Sequence, residues 1–384
     1  MHYPNTLKSK LPKVGTTIFS VMSKLAKDHN AINLSQGFPD FKISPELSEL
    51  VFENMKKGKN QYAPMPGIPE LRNELSKKIE KLYSIKYNSD TEITITAGAT
   101  QAIFTAITAV IEEEDEVIIF TPAYDCYAPA IELNGGKPVF IQLTAPNFII
   151  DWDQVQKMIT RKTRMIIINT PHNPSGTILT TQDMLSLEKI VKASNIIVLS
   201  DEVYEHIIYD GKEHQSVARY PTLAEHSFAV YSFGKTFHNT GWKMGYCIAP
   251  ENLMAEFRKV HQFNVFSVNT PMQYALSEYL KNENNYLSLP NFYQEKRDVF
   301  CDLLKESRFK IAPAGGTYFQ LLDYSEITDI KDTEFAIQLT EKNKIASIPV
   351  SVFYNSAPES KVLRFCFAKD NETLEKAAEI LCKI

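Results

Sequence analysis

Cysteine is scarce and unorganised in this 384-residue chain. The five residues, Cys126, Cys247, Cys301, Cys366 and Cys382, are odd in number and nowhere form a C-x-x-C pair. Neither a disulfide framework nor a metal site is therefore expected. No apolar run approaches the roughly eighteen residues of a membrane span. The opening "MHYPNTLKSKLPKVGTTIFS" lacks the continuous apolar core of a signal peptide. A basic surface is missing as well. Lys and Arg number 41 against 46 Asp and Glu, a formal charge of −5, and no basic cluster argues for nucleic acid. Arginine itself is rare, with eight residues and none before Arg72. The expectation is a reduced, cytoplasmic, enzyme-sized chain, with neither membrane nor nucleic acid as a partner.

What is present is ordinary in amount and specific in order. Hydrophobic residues make up 44% and charged residues 23%, and the length suits two domains of about 100–200 residues each. "TEITITAG" alternates like a strand and gives way at a glycine to the helical "ATQAIFTAITAVIEE". Then come "EVIIFTP", "PVFIQL", "RMIIINTP", "NIIVLSDEVY", "FAVYSFGK" and "GYCIAP", each a short β-branched or aromatic run closed by a turn signal. A helix, "TTQDMLSLEKIVKAS", opens on a Thr cap. Apolar strands separated by helices imply an α/β domain with a largely parallel sheet covered on both faces, over residues 44–266. Residues 267–384 read as a linking helix and a smaller α+β domain. Residues 1–43 hold turn chemistry and little periodicity, and are expected to form an arm that joins the smaller domain.

In such a sheet, ligands bind beyond the carboxyl ends of the strands, and the unusual polar residues fall there. "NTPHNPSGT" holds Asn173. "LSDEVY" holds Asp201 and Tyr204. "YSFGKTFHNTGWKMGY" holds Ser232, Lys235 and Lys243, with no acidic residue in the stretch. The junction "TAGATQAIF" presents Gly98, Ala99 and Thr100 at a helix N-terminus, where free N–H groups suit a phosphate. Taken singly, each has a plain reading as a cap, a turn former or a solvated edge residue. Jointly they assemble an anion site, a carboxylate, hydroxyls, an amide and an amine whose charge is poorly solvated.

The chain resembles the class I/II pyridoxal-phosphate-dependent aminotransferases of fold type I, in the kynurenine, glutamine and methionine branch. The likeness runs in order through "SQGFPDF", "NQYAPMPGIPELR", "TAGATQAIF", "TPAYDCYAP", "NTPHNPSGT", "LSDEVYEHIIYDG", "SFGKTFHNTGWKMGY" and "LRFCFAKD". It implies a seven-stranded, mostly parallel sheet and pyridoxal 5'-phosphate as cofactor. It also implies Lys235 as the Schiff-base lysine and proton carrier, with Lys243, Ser232, Gly98, Ala99 and Thr100 on the phosphate. Asp201 would pair with the ring nitrogen, Tyr204 and Asn173 with the phenolic oxygen, and Tyr124 with the ring face. Tyr62 would reach the neighbouring subunit's phosphate in a homodimer with shared sites. Arg364 and Gly37 would meet the substrate, Arg364 at its α-carboxylate and Gly37 through its backbone, with Asn173 beside them. "HQFNVFSVNTP" has no arginine for a second carboxylate, and Phe263 and Phe266 in it, with Phe19, Tyr62, Tyr124 and Tyr318, would wall the side-chain pocket. The expected activity moves the amino group of a large neutral amino acid to a 2-oxo acid. A carbon–sulfur β-lyase on the same scaffold is the alternative.

Overall fold

The structure, a computed structural model, describes Met1 and residues 5–384. Its largest element is a seven-stranded sheet. Strands β1 (Ile93–Thr96), β2 (Glu116–Thr121), β3 (Lys137–Gln142), β4 (Thr163–Asn169), β5 (Ile197–Asp201), β6 (Ser227–Ser232) and β7 (Gly245–Ile248) lie in the order β1-β7-β6-β5-β4-β2-β3. β7 runs antiparallel to both its neighbours, and the remaining pairings are parallel. The central strands are buried along nearly their whole length, which is why they read as unbroken apolar runs. Helices such as Ala99–Val110 and Thr181–Lys192 cover the faces. The second opens on a capping box in which Thr180 and Asp183 satisfy each other's backbone N–H.

A four-stranded antiparallel sheet forms from β8 (Lys310–Ile311), β9 (Phe319–Asp323), β10 (Ile348–Pro349) and β11 (Val362–Cys366), in the order β10-β11-β9-β8. The N-terminal segment runs along it. Ile32–Asn33 pairs in parallel with Ile345–Ala346, and Cys366 N donates to Leu34 O at 2.8 Å. The first 43 residues are more ordered than their sequence suggests. Ile18–Asp28 is a helix, with Thr17 Oγ1 accepting from Ser20 N at its start. Ile18, Met22, Leu25 and Ala26 make its inner face, a short helical spacing that the adjoining turn-rich stretches obscure. The expected arm begins at residue 1, and its residues 2–4 lie outside the described residues. The helix Thr270–Tyr279 packs against Pro45–Lys56 and Pro69–Tyr83. Among the described residues, no helix is long and apolar enough to cross a membrane.

Behind the large sheet's carboxyl edge lies a buried ionic cluster. Lys78 Nζ donates to Glu205 Oε1 at 2.5 Å and to Tyr246 Oη at 3.0 Å, and Tyr83 Oη donates to Glu205 Oε2 at 2.7 Å. The contacts join the helix Pro69–Tyr83, the turn after β5 and strand β7. Both charged groups are nearly inaccessible, so truncating one strands the other. Lys78→Met should cost about 3–5 kcal/mol of unfolding free energy, and Lys78→Met with Glu205→Leu should regain part of it. Equilibrium urea unfolding of the three proteins measures this. A single-variant loss below about 1 kcal/mol, the range of an exposed pair, would contradict it.

Candidate active site

Strand register brings the polar strand ends together. β4 ends on Asn169, β5 on Asp201 and β6 on Ser232, and Asn169 and Asp201 are direct partners across the ladder. Just past β1, Gly98 caps the helix Ala99–Val110 with φ at 83°, a conformation that side chains disfavour. No side chain caps this helix, so the N–H groups of its first turn are left without intrahelical partners. These elements surround a cleft of about 150 Å³. Gly98, Ala99, Thr100, Ser232 and Lys243 line it, as do Tyr124, Asn173, Asp201, Tyr204 and Lys235. All ten were expected there.

The two lysines differ more than their shared setting suggested. Lys243 is exposed and keeps a left-handed backbone at φ 55°. It lies beside Gly98, where an added Cβ would sit 3.5 Å from Lys243 Cε. Lys235 follows β6 within one helical turn, Phe233–Thr236, which Ser232 Oγ caps by accepting from Lys235 N at 3.3 Å. Its Nζ donates to Gly37 O and to Tyr318 Oη, each at 2.9 Å. Both acceptors are neutral. Burial therefore takes the ammonium down to about 8, nearby Arg364 and Lys243 push the same way, and Asp201 and Cys366 oppose them.

Asp201 is 3% exposed. Burial raises its carboxyl to about 6, against a 2.5 Å hydrogen bond from Tyr127 Oη and a longer one from Val203 N. Tyr124 Oη is 3.2 Å from Thr100 Oγ1. Asn173 sits in the turn after β4, where its Oδ1 accepts from Arg364 Nη1 at 2.7 Å. Arg364, on β11, also donates to Ser35 O at 3.2 Å, while its Nε is buried without a partner. Its guanidinium lies over the Phe319 ring at 3.9 Å, with Phe353 and Phe19 at 5.4 and 5.5 Å. Burial lowers it to about 10, so it stays charged at neutral pH.

Arg364 opens into a second cleft of about 430 Å³ that shares Tyr124, Asn173, Tyr204 and Lys235 with the first. Phe19, Ser23, Gln36, Gly37 and Phe38 complete much of its wall. Gly37 has no room for a side chain, since a Cβ would meet Phe319 Cζ at 2.8 Å. Of the eight arginines, only Arg364 lines either cleft among the described residues. Arg297 is engaged with Asp210, and Arg258 with backbone carbonyls at Asp90 and Ile93.

Some expectations are not met within one chain. Tyr62 is 82% exposed, packs edge-on against Phe266 and lines neither cleft. Phe263 and Phe266 lie on the surface at the end of helix Glu251–Asn264, away from the pocket they were expected to wall. Tyr318, expected as a pocket wall, instead bonds Lys235. Asn169 and Tyr127 were not anticipated. Asn169 Nδ2 donates to Asp201 O, and its Oδ1 accepts from Asn173 N. Both residues occur inside the motifs "NTPHNPSGT" and "TPAYDCYAP", but only strand register for Asn169 and a contact across 74 residues for Tyr127 separate them from ordinary turn and core residues.

A half-buried amine, a buried carboxylate and an anion cradle at one sheet edge define an enzyme that works through a bound phosphorylated cofactor. The sequence model for "Aminotransferase class I and II" matches residues 29–381. The chain belongs to this family and is a pyridoxal-phosphate-dependent aminotransferase. It is 49% identical to a methionine aminotransferase of Escherichia coli, with 97% of each chain covered. It is 34% identical to human kynurenine–oxoglutarate transaminase 3 over 98% of this chain and 90% of that one. A crystal structure of an Escherichia coli protein described as having a methionine aminotransferase function superposes with a TM-score of 0.97, at 49% identity, covering 99% of this chain and 100% of the other. These relatives support the aminotransferase and not the β-lyase.

The Lys235 amine should react as a weak base. In the cofactor-free protein, acylation of Lys235 by a small amine-directed reagent, mapped by peptide mass, should reach half its maximal rate near pH 8. An ordinary lysine does so near about 10.4. A half-point above about 10 would contradict the neutral, desolvated setting.

Proposed function

We propose that this aminotransferase moves the amino group of a large neutral amino acid to a 2-oxo acid, with Lys235 as the working amine. The observation that carries the reading is the pair of clefts joined at Lys235, one polar and one walled by phenyl rings around Arg364. Pyridoxal phosphate, when bound, supplies an aldehyde that bonds amines and a protonated ring that withdraws electrons. The residues of the first cleft suit it. Free N–H groups at Ala99 and Thr100, the Ser232 hydroxyl and the Lys243 ammonium match a phosphate. The buried Asp201 carboxylate matches a protonated ring nitrogen, Tyr204 and the free Nδ2 of Asn173 match a phenolic oxygen, and Tyr124 offers a ring face.

Arg364 is suited to hold the donor's α-carboxylate, because its Nε and part of its fork remain unpaired in a buried site. Asn173 fixes the fork from one side, and the tight backbone at Gly37 leaves space for the substrate. Lys235, weakly basic and lining both clefts, would take the proton from the donor Cα and give it to the cofactor's aldehyde carbon, with the reverse transfer in the second half-reaction. Lys235→Ala should retain cofactor affinity and lose turnover by several orders of magnitude.

The side-chain pocket supports neutral donors. Phe19, Phe38 and Phe319 face it, and no second arginine lines it among the described residues. An apolar side chain gains about 1.5–3 kcal/mol on burial, whereas an unpaired carboxylate is costly. kcat/KM with one shared 2-oxo acid should rank methionine, glutamine, phenylalanine and kynurenine ahead of aspartate by about ten-fold or more. Aspartate as the best donor would overturn this.

The working unit in this reading is a homodimer with Tyr62 completing the partner's phosphate site. The exposed Tyr62–Phe266 pair supports it. In this reading residues 1–43 form an arm and residues 267–384 a linking helix and a smaller domain against residues 44–266, supported by the pairing of Ile32–Asn33 with Ile345–Ala346. Mixing inactive Tyr62→Ala and Lys235→Ala proteins should restore activity, since one site in each hybrid is intact. No recovery after verified subunit exchange would refute the shared site.

A further inference from the structure

Tyr127 opens the short helix Tyr127–Leu133 beside the cofactor cleft, without lining it. Its ring packs edge-on against Tyr124 at 5.8 Å and borders an apolar cavity walled by Ile119, Phe120, Ile167 and Leu179. In that setting its hydroxyl donates to Asp201 Oδ2 at 2.5 Å. Asp201 Oδ1 accepts only a long bond, 3.4 Å, from Val203 N. The Asp201 carbonyl is held separately, by Asn169 Nδ2 at 2.9 Å and Thr170 N at 3.1 Å. With the backbone pinned, side-chain rotation and protonation are the freedoms left to this carboxyl.

We propose that Tyr127 is a positioning residue whose phenol fixes the orientation of the Asp201 carboxylate and keeps it charged, leaving Oδ1 for the cofactor's ring nitrogen. The inference rests on the assignment of Asp201 to that nitrogen. A phenol donor favours the anion over the neutral acid, and at this site it works against burial. Other groups facing Asp201 are Lys235 from the turn after β6, which favours its charge, and Glu202 from its own strand end, which disfavours it. Tyr124, Cys126 and Tyr204 are neutral there, each pushed up by burial. A ring that brings its own proton requires Asp201 ionised. Cofactor affinity of the apoprotein should therefore fall as pH drops through the Asp201 titration. Without Tyr127 that titration moves upward, and the fall begins at higher pH.

Tyr127→Phe keeps the ring and removes one oxygen. Fluorescence titration of wild-type, Tyr127→Phe and Asp201→Asn apoproteins with pyridoxal phosphate, from about pH 5 to about pH 8, separates the possibilities. Tyr127→Phe should bind about ten-fold or more weaker near the wild-type midpoint, with its own midpoint displaced to higher pH. Asp201→Asn should bind weakly at every pH. A Tyr127→Phe profile that superimposes on wild type, while Asp201→Asn binds weakly, would overturn the role of Tyr127 alone. Asp201→Asn binding as tightly as wild type would overturn the Asp201 assignment and this inference with it.

Discussion

The amine of Lys235 is held by two oxygens that carry no charge, and the rest of the site is organised around that contact. Gly37 comes from the N-terminal segment, Tyr318 from the approach to β9, and Lys235 from the turn after β6. Tyr318 itself donates to Gly37 O at 2.6 Å, which closes a triangle among the three segments. A carboxylate at either acceptor position would stabilise the ammonium and leave a poor nucleophile. Neutral acceptors orient the amine while burial keeps it partly unprotonated.

Charge is distributed around this amine with little redundancy. Asp201 lines the first cleft and Arg364 the second, each buried, and neither is paired with the other's charge. Asp201 relies on a phenol and a backbone N–H. Arg364 relies on an amide oxygen, a carbonyl and three phenyl faces. Dipoles and rings hold these charges without neutralising them, so each stays available to a ligand of opposite sign. The fully compensated pair, Lys78 with Glu205, sits behind the sheet edge, where it joins the helix Pro69–Tyr83 to the turn after β5.

The strand ends were legible because each is an apolar run closed by a turn signal, so Asp201 and Ser232 could be placed from local pattern alone. Ladder partners depend on register between segments far apart in sequence, and this hid Asn169 beside Asp201, while Tyr127 reaches Asp201 from a helix 74 residues away. Tyr318 and Gly37 meet Lys235 across separations of 83 and 198 residues, which no local pattern carries. The helix Ile18–Asp28 was hidden by brevity and by the turns around it. Lys243 shared the composition of Lys235's stretch, yet the left-handed turn carries it to the surface. Phe263, in the last turn of helix Glu251–Asn264, and Phe266, just past it, are exposed and line neither cleft.

The most direct test of the central claim is to reduce the cofactor-loaded enzyme with borohydride and map the modified peptide. One pyridoxyl adduct per chain should be found, on Lys235 within "SFGKTF". An adduct on Lys243, or on any other lysine, would contradict it.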